Sequence, residues 1–307
     1  MIELEPTPKR TFLQNIFLSP DEPRLRAGWR LVIQTILLLL FSICFGLPLG
    51  LLAYIPGIEL SDQLFLALNQ VVEILAITLS VYLARRFLDK RSFSSLGLKL
   101  DKWTVLDILA GIVITFFMMG LIYLILWSVG WLTFEGFAWE SDSLLTVLGG
   151  TLGMFIVFIF VGWNEELLSR GYHLQTIASG LNLFWGVLIS SAVFGLLHLG
   201  NPNATWVSAA GIFFAGLFLA YGYLSTRQLW LSIGLHIGWN FFEGVVFGFP
   251  VSGLDIYHLI RITVSGPEVW TGGAFGPEAG LVVIPGMVLG TVLIYIYSHF
   301  IRNPNND

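Results

Sequence analysis

A few ionisable side chains of this sequence sit inside long apolar runs, where a charge is costly and its presence points to function: Glu73, Asp107, Glu165, Glu166, His198, His236 and Glu243. Asn240 joins them as an amide in the same setting. The stretch Asn164-Glu165-Glu166-Leu167-Leu168-Ser169-Arg170 places Glu166 and Arg170 at i and i+4 of a helix, where they can pair. Glu165 then points about 100° away and is free for another partner. A solvated ion pair at a helix end would carry the same pattern without any chemistry. In Phe194-Gly195-Leu196-Leu197-His198 a phenyl ring and an imidazole share one face at i, i+4. His236-Ile237-Gly238-Trp239-Asn240 repeats that spacing, and Glu243 at i+7 continues the stripe. A lone histidine on an apolar face is usually a satisfied core residue. In lipid that account weakens, because partners exist only where the bundle supplies them.

Together these residues have the composition of a hydrolytic site. Peptide hydrolysis needs a base that deprotonates water and donors aimed at the developing oxyanion. Glutamate can be the base, a neighbouring histidine can shuttle the proton, and Asn240 and His236 can donate. No serine or cysteine is convincingly paired with these groups, so a covalent nucleophile is not expected. Glu165, His198 and His236 could instead ligate zinc as a His₂Glu set with an open position, although the HExxH spacing is absent.

The elements that carry these residues are membrane helices. Of 307 residues, 56% are hydrophobic and 11% charged, against about 25% charged in a soluble domain. Such a composition cannot make a water-soluble surface. The net charge of −5 argues against a nucleic-acid partner. The single cysteine, Cys44, excludes an internal disulfide and any cysteine-based metal site. The polar first 25 residues do not read as a cleavable signal peptide. Runs of about 20 mostly apolar residues cross a bilayer. The runs predicted to do so are 31–54, 63–84, 105–130, 144–169, 184–199, 205–225, 229–248 and 280–301. The fold class expected is therefore all-α, a polytopic transmembrane bundle of about eight spans. The fifth span is short and runs into the breaker Gly200-Asn201-Pro202-Asn203.

Basic residues set the orientation. With both termini cytoplasmic, Lys9, Arg10, Arg24, Arg26, Arg30, Arg85, Arg86, Lys90, Arg91, Lys99, Lys102, Arg170, Arg227 and Arg302 all fall inside, and only Arg261 outside. The chain is expected to lie in the cell membrane, with a cytoplasmic tail at 1–26, one membrane domain over 27–302 and a short tail at 303–307. Residues 249–278, rich in Gly and Pro, read as an outer loop that dips partly into the membrane. Ser179-Gly180-Leu181-Asn182 is the best turn between spans four and five. Glu165 and His198 lie about 16 residues either side of it, so an antiparallel hairpin brings them to one level. Arg170 and Arg227 suggest a site in the inner half of the bilayer, with residues 171–183 projecting below it as a further helix.

The three motifs, Glu165-Glu166-x-x-x-Arg170, Phe194-x-x-x-His198 and His236-x-x-x-Asn240, in this order on successive late spans, resemble the CAAX-protease and bacteriocin-processing family of intramembrane proteases. The likeness covers about residues 145–248 and is similar to that of type 2 CAAX prenyl endopeptidases. It implies that Glu165 and His198 activate a water, that His236 and Asn240 hold the oxyanion, and that Glu166, Arg170 and Phe194 support them. Glu243 is an extra acid that the family does not place. The resemblance favours metal-free hydrolysis with no cofactor, with zinc as the alternative. The partners it implies are the lipid bilayer and a peptide or membrane-protein substrate. Eukaryotic relatives trim three residues after a prenylated cysteine, but nothing in this sequence shows a lipid-binding requirement. Two other classes remain open: an ion- or proton-coupled transporter, which internal repeats or broken helices would favour, and a non-catalytic scaffold or immunity protein.

Overall fold

The computed structural model describes residues 11–52, 55 and 61–302. Residues 1–10 of the expected first tail, with Lys9 and Arg10, and the tail 303–307 lie outside the described residues. After a short helix over Phe12–Phe17 come the long helices α1 (Ala27–Leu52), α2 (Asp62–Leu83, continued by Ala84–Leu88), α3 (Thr104–Ser128), α4 (Leu144–Gly180), α5 (Leu183–Leu197, continued by a tight turn to Gly200), α6 (Trp206–Thr226), α7 (Leu229–Asn240, continued by Phe241–Val246) and α8 (Val283–Arg302). Among the described residues, seven helices are long and apolar enough to cross a membrane. The seventh predicted span, 229–248, here α7, is not one of them. It forms as a helix, but His236, Asn240 and Glu243 dilute its apolar character, and it is buried along nearly its whole length. A helix lined by other helices does not need a lipid-compatible surface.

Polar side chains mark where the helices begin. Ser61, Ser143 and Asn182 each accept a bond from a backbone N–H of the following first turn, and Thr205 forms a capping box with Ser208. These caps satisfy donors that the helix itself leaves open. The chain then alternates between two ends of the bundle. At one end, Arg30 pairs with Asp89 and donates to Ser179 Oγ (2.7 Å), Lys99 N–H donates to Gln228 Oε1 (3.1 Å), and Arg302 donates to the Thr226 carbonyl (2.7 Å). At the other end, a strand β1 (Leu132–Phe137) pairs antiparallel with β2 (Ile260–Val264), and Arg261 bonds Asp142 (2.8 Å). Arg261, the one basic residue assigned to the outer side, thus sits at the end opposite Arg24, Arg30 and Arg85.

Small residues bring α7 against α3. A Cβ on Gly234 would collide with the Ile108 backbone, and one on Gly238 with Ile112 and Thr115, while Gly111 meets the backbone of Leu231–Leu235. Such close approach is how helices associate where lipid removes the hydrophobic driving force. It fixes the height of the helix that carries His236 and Asn240. Asp107 is absorbed structurally: it accepts from Tyr297 Oη (2.7 Å) and pairs with Arg302 (3.1 Å), tying α3 to α8.

Candidate active site

Two helices change pitch beside the polar motifs. In α4 the backbone widens to π-type turns over Leu167–His173, directly after Glu165 and Glu166. In α7 it widens over Phe241–Val246, directly after Asn240. Such bulges re-aim side chains and recur at functional sites.

Glu166 and Arg170 form the expected i, i+4 pair at 2.7 Å, but not at a solvated helix end. Both side chains are fully enclosed, at 0% and 1% exposure. Arg170 also donates to the Gly216 carbonyl (3.0 Å) and stacks its guanidinium 4.3 Å from the Phe194 ring centre. Arg170 is therefore a residue of the bundle interior, and it leaves the tally of inner-loop cations. Glu166 Oε1 accepts a second bond, from His236 Nδ1–H (2.8 Å). His198 Nδ1–H donates to the Phe194 carbonyl (2.8 Å). Each ring has one nitrogen fixed by an acceptor and turns its Nε2 toward Glu165. Both Nε2 atoms lie 3.7 Å from Glu165 Oε2. That oxygen is buried and has no hydrogen-bond partner among the described residues.

Glu165, His198, His236 and Asn240 line one cavity of about 450 Å³. Asn240 is 7% exposed, and among the described residues no side-chain hydrogen bond ties up its amide. The cavity wall continues through Leu38 and Leu39 of α1 and through Gln70 and Glu73 of α2. Leu39 of α1 and Leu197 of α5 line the cavity and are each more than half exposed, so the cavity is open where these two residues meet it.

Glu165 and Ser179 are about fourteen residues apart, roughly 21 Å of helical rise from the arginine-bearing end. Residues 171–180 do continue as helix, as expected, and account for most of that distance. At the site's far side the long loop 249–280 closes in. Asn201 donates to the Ser252 carbonyl (3.0 Å) and Asn203 to the Gly253 carbonyl (3.3 Å).

That loop carries a residue the sequence did not single out. Glu278 is 4% exposed and lines the same cavity. Ser252 holds its Oε2 through the backbone N–H (2.8 Å) and Oγ (2.7 Å). Burial pushes the Glu278 carboxyl above the ordinary carboxylate range, against the Ser252 bonds and the nearby histidines. Its backbone rests against Gly211, where any Cβ would collide with the Glu278 carbonyl. Only the loop's depth in the bundle reveals it, and local sequence does not carry depth. Glu243 goes the other way. It is completely buried but does not line the cavity, because the widened turn after Asn240 takes it off the His236–Asn240 stripe.

The class of protein this fold and site define is a polytopic membrane protein with a carboxylate–histidine centre. Residues 147–242 match the family profile described as "Type II CAAX prenyl endopeptidase Rce1-like". The chain is also 27% identical over 230 residues to "Putative membrane peptidase YdiL" of Bacillus subtilis (strain 168), covering 71% of this chain and 88% of that protein. These likenesses bear out the resemblance read from the three motifs and support a membrane protease.

Proposed function

We propose that this chain is an intramembrane endopeptidase that cuts a peptide bond with a water activated by Glu165 and His198. The observation that carries the reading is the convergence of two imidazole Nε2 atoms on one buried, unpartnered glutamate oxygen, in a cavity that also holds a free amide. Glu165 takes a proton from water as the water oxygen attacks the carbonyl carbon. Asn240 donates to the oxyanion. His236, whose Nδ1–H is held by Glu166, donates to it from Nε2 when doubly protonated. The proton on Glu165 then passes to the leaving nitrogen as the C–N bond breaks. The substrate class is a peptide or membrane-protein segment that enters from the bilayer.

A second reading rests on the same convergence. Metal-ligating histidines also have the far ring nitrogen fixed by an acceptor, and Glu165, His198 and His236 are the donor types of a His₂Glu zinc site, but among the described residues no such group is arranged to hold a metal ion. One assay separates the two: purified protein in neutral detergent, offered a peptide library, with cleavage read by mass spectrometry. Without metal, chelation leaves cleavage intact. His236→Ala and Asn240→Ala each lower turnover by about 10²–10³ while sparing affinity. With zinc, chelation stops cleavage, added zinc restores it, and Asn240→Ala matters little. A folded protein that cleaves nothing in the library, with or without zinc, would sink both readings.

The orientation belongs to the same proposal, with the arginine-bearing end and both termini on the cytoplasmic side of the cell membrane. Cysteines introduced over residues 132–142 should react with an impermeant thiol reagent from outside. Reaction of cysteines over residues 90–100 from that side would reverse the orientation.

A further inference from the structure

The catalytic cavity holds more carboxyl groups than hydrolysis uses. Three carboxylates line it, Glu73, Glu165 and Glu278, and no lysine or arginine does so among the described residues. The enclosed arginine beside it, Arg170, is already bound by Glu166 and the Gly216 carbonyl. Glu165 has its role as base, which leaves Glu73 and Glu278 unassigned. Glu73 stands on α2, on the side where the cavity meets α1, and is only half-buried. One of its oxygens, Oε1, accepts a bond from Asn69 (3.1 Å), and its charge faces that of Glu165. Glu278 enters from the loop, with Oε2 fixed by Ser252 and its charge within reach of both histidines. A second, independent feature points to a ligand here. The Asn240 amide, more than nine-tenths buried and without a side-chain partner among the described residues, lines the same space and is placed to bond a peptide carbonyl.

Carboxyl groups enclosed together resist ionising side by side, and a cation brought among them favours their charged form and is held by it. An apolar residue in the same place gains nothing from the carboxylates and leaves them facing each other. We propose that the cavity selects peptide segments bearing a lysine or arginine side chain next to the scissile bond, with Glu73 receiving the cation. This rests on the endopeptidase reading for the meaning of "scissile", but the cation preference itself is a property of binding. Both Glu73 and Glu278 lie outside the segment 147–242 matched by the family profile.

The test uses two labelled Ala/Leu peptides of transmembrane length that differ only in a central lysine or norleucine. They are added to full-length protein in neutral detergent. Binding is read by fluorescence anisotropy and cleavage by mass spectrometry on the same samples. The lysine peptide is expected to bind about tenfold more tightly, the factor that about 1.4 kcal/mol of charge pairing gives. Glu73→Gln is expected to bring the ratio of the two affinities close to one. Equal affinity of the wild-type protein for both peptides overturns the proposal, and that comparison needs no variant to fold. A ratio left unchanged by Glu73→Gln overturns the assignment of the cation to Glu73. Preferential binding of the lysine peptide without cleavage of either would uphold the preference while removing the endopeptidase reading, so the two fail separately.

Discussion

Replacing Glu165 with glutamine is expected to lower peptide cleavage by about 10⁴-fold, the upper end of what one positioned base contributes, with little change in the protein's thermal stability. The amide keeps the shape of the side chain and removes the group that takes the proton. Stability is spared because Glu165 makes no hydrogen bond through its buried Oε2 and is about a third exposed to the cavity. Glu166→Gln gives the informative contrast. As a partner of Arg170 alone, the role its i, i+4 spacing gives it, Glu166 would on loss mainly destabilise the protein. The structure adds the bond from His236. The neutral amide would weaken its hold on Arg170 and withdraw the negative charge behind the His236 ring. Glu166→Gln is therefore expected to show both effects, a fall in melting temperature and a fall in turnover. Rates and melting curves measured on the same preparations separate the two variants. A stable Glu166→Gln protein with full activity, or an active Glu165→Gln protein, would exchange or remove the assigned roles.

The second large effect lies at the arginine-bearing end. Asp89 is enclosed, and Arg30, Arg85 (2.9 Å) and Arg24 (3.6 Å) all turn to it. Its carboxylate joins the end of α2 to the start of α1, and through Arg30 and Ser179 to the end of α4. Asp89→Asn leaves buried guanidinium groups without their counter-charge. Removing one partner from a buried ion pair typically costs about 3–5 kcal/mol, and more than one arginine is affected here. The expected outcome is loss of the folded protein in detergent, read as a collapse of the melting transition or aggregation on size exclusion. A melting temperature within a few degrees of wild type would show that the cluster is not a fastener.

Much of this was legible in the sequence, for reasons that can be named. The i, i+4 spacing of Glu166 and Arg170 and the turned-away Glu165 follow from helical geometry alone, and so does the common level of Glu165 and His198 across the Ser179–Asn182 turn. The apolar runs gave the helices because the bilayer imposes a length on them. What escaped depended on depth and on irregular backbone. Arg170 looked like a loop cation because its chain position does not reveal that Gly216 and Phe194 enclose it. Glu243 looked like a member of the His236 stripe because that reading assumed 3.6 residues per turn, and the backbone widens at Phe241. Glu278 looked like one acid in a Gly- and Pro-rich loop. Its place in the cavity depends on the contacts of Gly211, Asn201 and Ser252, which are remote from it in sequence.

The way the cavity opens at Leu39 and Leu197, with the loop 249–280 packed over its far side, changes how its chemistry has to be counted. A substrate that arrives sideways is not at a concentration per litre. It is at a number per area of lipid, searching in two dimensions. Adding lipid at fixed amounts of protein and substrate dilutes the reaction, although the volume is unchanged. Adding buffer does not dilute it. A turnover number for this protein is therefore comparable between preparations only at a stated mole fraction of substrate in the lipid or detergent phase.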